Sequence, residues 1–185
     1  MSILLRPVSD ALALLTIGAG VAVAEAIEDA TGLRPTLKWP NDVYLSNRKV
    51  AGILAEANAP TDQDVQFVIL GIGINIAPAT YPADVASHAT SLEAELGRAV
   101  DRGLLLTECL ASFAGRYADL RSARHAIVMG QWRRRAAPLL GRMVRWEADG
   151  VAREGLAENI DESGALIVLT PAGPVRVIAG EVVWI

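Results

Sequence analysis

The sequence has a single cysteine, Cys109, which excludes an internal disulfide; its apolar neighbours point to core packing in a reduced, cytosolic setting. Its two histidines, His88 and His125, have no third ligand at metal spacing, so a structural zinc has no basis. Basic residues are outnumbered, 17 Lys and Arg against 21 Asp and Glu, and a net charge of −4 argues against non-specific binding to DNA. A spanning helix is not supported either. Leu12 to Ala26 is apolar, but it follows Asp10, is short and holds small residues at helical spacing. No cleavable leader, internal repeat, low-complexity segment or Ser-His-Asp nucleophile motif is visible. What remains is a soluble, cytoplasmic chain of 185 residues whose 52% hydrophobic content is ample for a buried core.

The hydrophobic patterning alternates strands and helices before it changes character. Met1 to Arg6 reads as a strand ended by Pro7, and Ser9 or Asp10 is placed to cap a helix that runs to Thr31 and stops at Gly32. Gly18, Ala19, Gly20, Ala22 and Ala24 thin that helix for close packing against a sheet. Strands follow at Leu33 to Trp39, Val43 to Leu45, Lys49 to Ala57 and Val65 to Ile76, with a polar hairpin turn at Ser46-Asn47-Arg48 and a polar loop at Asn58 to Asp64. Ala77 to Ala89 reads as a loop, and Thr90 with Glu93 as a capping box opening a short helix that ends at Gly97. Two further helices, Leu104 to Arg121 and Arg124 to Ala137, would cover the far side of the sheet, with Arg133-Arg134-Arg135 as a solvated end or a contact for an acidic partner. After Pro138, short strands separated by Asp-Gly and Pro-rich turns predict a small all-β barrel.

The chemistry is concentrated between residues 38 and 76. Lys38-Trp-Pro-Asn-Asp42, Arg48-Lys-Val-Ala-Gly-Ile-Leu-Ala-Glu56 and Val68-Ile-Leu-Gly-Ile-Gly-Ile-Asn-Ile76 carry glycines, asparagines and lysines, residue types that strands usually avoid. Pro40 fixes its own φ and holds Trp39 extended, so Asn41-Asp42 turn out of the sheet at a rigid corner. Lys49 opens an apolar run and wants an anion there. Gly71 and Gly73 alternate with isoleucines at period two, so they share one face of bare backbone on which a flat ligand can lie, and Asn75 continues that face. G-x-G-x-N is not a dinucleotide fingerprint, since neither a third glycine nor a helix start follows.

These motifs, in this order and spacing, resemble the catalytic core of the biotin protein ligases, the biotin–[acetyl-CoA-carboxylase] ligases. The resemblance implies an α+β fold: a mixed sheet flanked by helices, like the class II synthetases, over residues 1–138, and a C-terminal Src-homology-3-type β-barrel over 139–185, where Gly180-Glu181 matches a family feature. It implies that ATP adenylates biotin, with magnesium, and that biotin passes to a lysine of a carboxylase's biotin carrier domain. Lys49 would be the catalytic cation, touching biotin's carboxylate and the phosphate. Gly52, Leu54, Gly71 and Gly73 would form the biotin floor, and Lys38, Asn41, Asp42 and Asn75 the ATP contacts. From the residues alone, Lys49 reads first as a solvated hairpin lysine, and Asn41-Asp42 are equally a common turn pair, Leu54 a packing residue and Lys38 a surface charge.

The family also carries, upstream of the strand that here begins at Met1, a glycine- and arginine-rich loop that closes over biotinyl-adenylate. The expectation is therefore a truncated ligase, either a fragment or a shortened paralogue. Two alternatives are an inactive interaction module pairing as a homodimer through an open sheet edge, and a lipoate-type ligase.

Overall fold

The computed structural model describes residues 1–6, 12–58, 67–80 and 82–185. A first sheet runs in the order β1-β5-β4-β3-β2, built from β1 (Ser2–Leu5), β2 (Thr36–Lys38), β3 (Asp42–Leu45), β4 (Arg48–Asn58) and β5 (Phe67–Ile74). Every ladder in it is antiparallel. The parallel component of the expected mixed sheet is one isolated bridge, between Lys49 and Ala89. Period-two alternation sets the faces: Val68, Leu70 and Ile72 are buried, while Ile69, Gly71 and Gly73 look the other way. Ser46 and Asn47 close the β3–β4 hairpin, both at positive φ (48° and 61°), which matches the twist of the strands they join. Of the strands expected at 33–39 and 65–76, Thr36–Lys38 and Phe67–Ile74 are the parts that find ladder partners among the described residues, and residues 65 and 66 lie outside them. Asn75 lies just past the end of β5.

Helix α1 (Leu15–Thr31) stops as its sequence dictates, at Gly32 with φ 77°. Its start differs from the capped one expected at Ser9 or Asp10. Leu14 occupies the cap position without a side-chain bond, and residues 7–11 lie outside the described residues. Small residues serve both sides of α1. A Cβ on Gly20 would lie 3.7 Å from Leu37 in the sheet, and one on Gly18 3.1 Å from Leu120 of α4 (Arg102–Arg121). So α1 is the buried middle layer; α4 packs on α1 instead of covering the sheet, and α5 (His125–Ala136) packs on both α1 and β2. Cys109 is buried on α4, and burial pushes its thiol up to about 11, as a packing residue requires.

Between β5 and α4, the expected loop at 77–89 contains a short helix, α2 (Ala83–Ala86), and residue 81 lies outside the described residues, as do 59–66 of the expected polar loop. Helix α3 (Leu92–Leu96) is capped one residue later than the motif suggested: Ser91 accepts from the Ala94 amide. Thr90 and Glu93 are freed for other contacts.

The second sheet is antiparallel, in the order β10-β6-β7-β8-β9, from β6 (Met143–Ala148), β7 (Val151–Ile160), β8 (Leu166–Thr170), β9 (Gly173–Val177) and β10 (Val182–Trp184). No ladder joins β9 to β10 among the described residues, so the barrel expected here is open at that seam. It docks through the β7–β8 turn. Gly164, at φ 85°, approaches Leu14 so closely that a Cβ would lie 3.1 Å from it, and its carbonyl accepts from Trp39 Nε1 at 2.8 Å. Arg133, expected in a solvated run, instead donates to Asn159 and to the Ile160 carbonyl, and Arg135 pairs with Glu28; of the three arginines only Arg134 is exposed.

Asp161 organises the same turn. Burial works against its charge, but donors from Ser163, Arg176 and the Ala165 and Ser163 amides outweigh it and hold the carboxyl at about 2, below the ordinary 3.8. A depressed carboxyl stabilises the fold fully above its unfolded pKa and loses that contribution as pH falls through the folded one. The thermal midpoint of the protein is therefore expected to fall more steeply between about pH 4 and pH 2 than that of Asp161→Asn; parallel curves for the two in calorimetric scans would show that the turn does not depend on this charge.

Candidate active site

Antiparallel register assembles residues that the sequence keeps apart. Lys38 pairs with Asp42, Asp42 with Gly52, and Gly52 with Gly73, so β2, β3, β4 and β5 contribute one row across the face turned away from α1. A second row lies two residues along, where Leu54 pairs with Gly71 and Gly71 with Ser2. The glycines make this face flat: a Cβ on Gly73 would meet only the Gly52 carbonyl, at 4.0 Å, and one on Gly71 nothing nearer than the Leu54 carbonyl at 3.7 Å. Leu54, 58% exposed, forms an apolar margin with exposed Leu4 and Ile69. Leu54 is thus exposed on this face and is not part of the core.

The amine of Lys49 lies over this row and not in open solvent. It sits 2.5 Å from Asp42 Oδ1, and a Cβ on Gly52 would come within 3.3 Å of it. Asp42 Oδ1 is buried and has no other partner, so the carboxylate holds the ammonium in place. Lys38 Nζ donates to the Tyr44 hydroxyl at 3.2 Å and lies 5.1 Å and 5.3 Å from the ring centroids of Tyr44 and Trp184. Burial lowers the pKa of Lys38, with Lys49 adding to that and Asp42 and Glu181 opposing it, and burial raises that of Tyr44. Lys38, Tyr44, Lys49, Asp42 and Glu181 line a cavity of about 520 Å³ between the Trp39-Pro40 corner and the start of β10.

Asn41 and Asn75 are largely committed to the protein. Asn41 donates through Nδ2 to the Ile53 carbonyl at 2.5 Å while its own carbonyl accepts from the Ile53 amide, which ties the corner to β4. Asn75 Nδ2 donates to the Thr90 carbonyl at 3.0 Å, leaving Oδ1 and its second N–H available. Lys49, Gly52, Gly73, Asp42 and Lys38 are therefore brought together. Leu54 and Gly71 lie one row away, Asn75 sits at the strand end, and Asn41 serves the corner.

Tyr44, Trp184, Thr90 and Glu95 were not legible as site residues. Tyr44 had a weak signal, two positions beyond Asp42 on a short strand; Trp184 reaches Lys38 only because the second sheet docks there. No group of three His, Cys, Asp or Glu side chains able to hold a metal occurs among the described residues, and no helix among them is long and apolar enough to cross a membrane.

Comparison with known proteins gives concordant matches. The biotin/lipoate A/B protein ligase family profile matches residues 2–75, and the profile of the biotin protein ligase C-terminal domain matches 139–184. The biotin–[acetyl-CoA-carboxylase] ligase of Paracoccus denitrificans is 38% identical over 190 residues, which cover 98% of this chain and 78% of that protein. The bifunctional ligase/repressor BirA of Bacillus subtilis is 33% identical over 98% of this chain, which spans only 57% of that relative's length. Among solved structures, biotin protein ligase from Aquifex aeolicus in complex with biotin and ATP aligns over 100% of this chain and 76% of its own, at TM-score 0.86 and 28% identity.

Proposed function

Because the chain belongs to the biotin protein ligase family, we propose that it is an ATP-dependent biotin ligase, or the part of one that carries the lysine and the glycine floor. In the first step an oxygen of biotin's carboxylate attacks the α-phosphorus of ATP, a P–O bond forms and pyrophosphate leaves. In the second the ε-amine of a lysine on a biotin carrier domain attacks the acyl carbon, the amide forms and AMP leaves. Two anions must approach each other in the first step, so a fixed cation between them acts most in the transition state. The observation that carries this reading is the Lys49 ammonium held by Asp42 above Gly52. Its remaining N–H donors are free to take a carboxylate and a phosphate oxygen. Biotin's ring and chain would lie on Gly52, Gly71 and Gly73 against Leu54. The triphosphate would enter the cavity at Lys38, with Asn75 Oδ1 and Asp42 on the nucleotide.

Magnesium fits this site as an ion borne mainly by the phosphates. Asp42 is the carboxylate nearest the row, one of its oxygens is spent on Lys49, and such ions commonly keep only one or two protein carboxylates. When bound it would supply charge neutralisation on the leaving pyrophosphate. A cytoplasmic location is part of the same proposal, since the reaction draws on ATP.

Isothermal titration with biotin and with ATP, followed by pyrophosphate release in their joint presence, tests the proposal; binding of neither would end it. Gly73→Val is the sharper probe of the floor. A Cβ there meets nothing in the fold nearer than 4.0 Å, but the side chain would fill ligand space, and overpacking by a few methyl groups costs about 1–3 kcal/mol, so biotin affinity is expected to fall by about 10- to 100-fold with ATP affinity unchanged. The match of residues 139–184 favours biotin over lipoate, and pyrophosphate release with lipoate but not biotin would reverse that choice. A second reading, an interaction module pairing through β1, draws on that strand having β5 as its one ladder partner among the described residues. A strictly monomeric species in light scattering would count against it.

A further inference from the structure

Thr90 is 3% exposed, and the reaction proposed above assigns it nothing. Its polar groups nevertheless reach three separate parts of the molecule. The amide donates to the Lys49 carbonyl at 2.9 Å, the carbonyl accepts from Asn75 Nδ2 at 3.0 Å, and the hydroxyl donates to Glu95 Oε1 at 2.6 Å. Glu95, on α3, also accepts from the Ser46 hydroxyl at 2.8 Å and from the Arg48 guanidinium at 2.6 Å, both at the β3–β4 turn. The Lys49 amide in turn donates to the His88 carbonyl at 2.7 Å. Both backbone groups of Lys49 are thus spent on residues 88 and 90.

This arrangement matters because of where Lys49 sits. It follows a two-residue turn at the end of a hairpin, the part of a sheet that opens most easily, and its side chain is 44% exposed. One ion pair to Asp42 fixes the amine relative to β3, and the Asn75 amide donates to the Val50 carbonyl at 2.8 Å, which ties β4 to the end of β5; neither holds the Asn75 side chain nor locks the β3–β4 turn. The segment at the start of α3 supplies what is missing. Resting on the reading of Lys49 as the cation between the reactants, we propose that Thr90 and Glu95 are positioning residues: Glu95 locks the turn, and Thr90 joins Lys49 and Asn75 so that the two ends of the reacting phosphate's site keep one spacing. A misplacement of about 1 Å at such a group commonly costs on the order of 100-fold in rate.

The test uses the full chain with Thr90→Val, Thr90→Ser and Glu95→Gln beside Lys49→Met. Thr90→Val keeps the side-chain volume and both backbone bonds but removes the donor to Glu95. Thr90→Val and Glu95→Gln are expected to lower kcat for pyrophosphate release by about tenfold or more while KM for biotin and ATP changes less than about threefold, and Thr90→Ser to stay near wild type. Hydrogen exchange, which needs no turnover, is expected to quicken at the Lys49 amide in both impaired variants and to stay unchanged in α4. Unchanged kcat in Thr90→Val and Glu95→Gln, with release abolished in Lys49→Met, overturns the positioning role alone. Unchanged release in Lys49→Met overturns the reading of the lysine itself. Unchanged exchange at Lys49 overturns the clamp whether or not the chain turns over, and Glu95→Gln decides if Thr90→Val fails to fold.

Discussion

Lys49→Met is expected to slow biotinyl-adenylate formation by about 10²- to 10³-fold, the usual cost of removing one preorganised group that stabilises developing charge. The effect should fall on the rate at saturating substrate, read as pyrophosphate released in a single turnover, because the cation matters most when carboxylate and phosphate are pressed together. Lys49→Arg should not restore the rate. The ammonium fits over Gly52 because nothing projects there, and a planar guanidinium has a different reach and shape. Removing the amine also strands Asp42 Oδ1, which is buried and otherwise unpartnered, at a cost of about 1–3 kcal/mol in stability. The double variant Lys49→Met with Asp42→Asn separates the two consequences: stability should largely return and the rate should not. A single-turnover rate within threefold of wild type in Lys49→Met, about 0.7 kcal/mol by transition-state arithmetic, would remove the lysine from the chemistry.

Trp39→Ala is expected to destabilise the fold by about 3–5 kcal/mol, as truncation of a large buried aromatic does. Trp39 is 2% exposed, and its indole N–H reaches the carbonyl of Gly164 in the turn through which the second sheet docks. Trp39→Phe keeps most of the volume but leaves that buried carbonyl unpaired, so about 1–3 kcal/mol is expected from it alone. Urea denaturation measures both. A Trp39→Ala loss below about 1 kcal/mol would show that the corner is held by Pro40 and the Asn41 bonds without the tryptophan. In Trp39→Phe, ATP binding should weaken more than biotin binding, since Lys38, Tyr44 and Trp184 meet across the junction that this bond closes.

The candidate site was legible in part, and the boundary has a physical cause. Gly71 and Gly73 share a face because side chains alternate along a strand, and that inference needs no neighbours; Asn75, expected to continue that face, lies just past the end of β5. Leu54 read equally well as core, since a run such as Ile53-Leu54-Ala55 does not say which side is covered; only the pairing with Gly71 on an open face decides it. Asn41 donates one side-chain N–H to the Ile53 carbonyl, a cross-strand bond invisible without register. The helix start at Leu15 was missed because Ser9 and Asp10 are good caps locally, while tertiary packing chose where the helix begins.

Patterning alone determined that α1 ends at Gly32, that a polar turn after Leu45 closes a hairpin, and that the chain changes to short strands after Pro138. Each is a local matter of dihedral freedom or side-chain period. Only the tertiary structure decided that Lys38, Asp42, Gly52 and Gly73 form one row, that Asp42 holds Lys49, that Trp184 stands beside Lys38, and that Thr90 links two site residues. Register and docking bring together groups far apart in the chain, and no short-range rule of backbone or side chain specifies a distance between them.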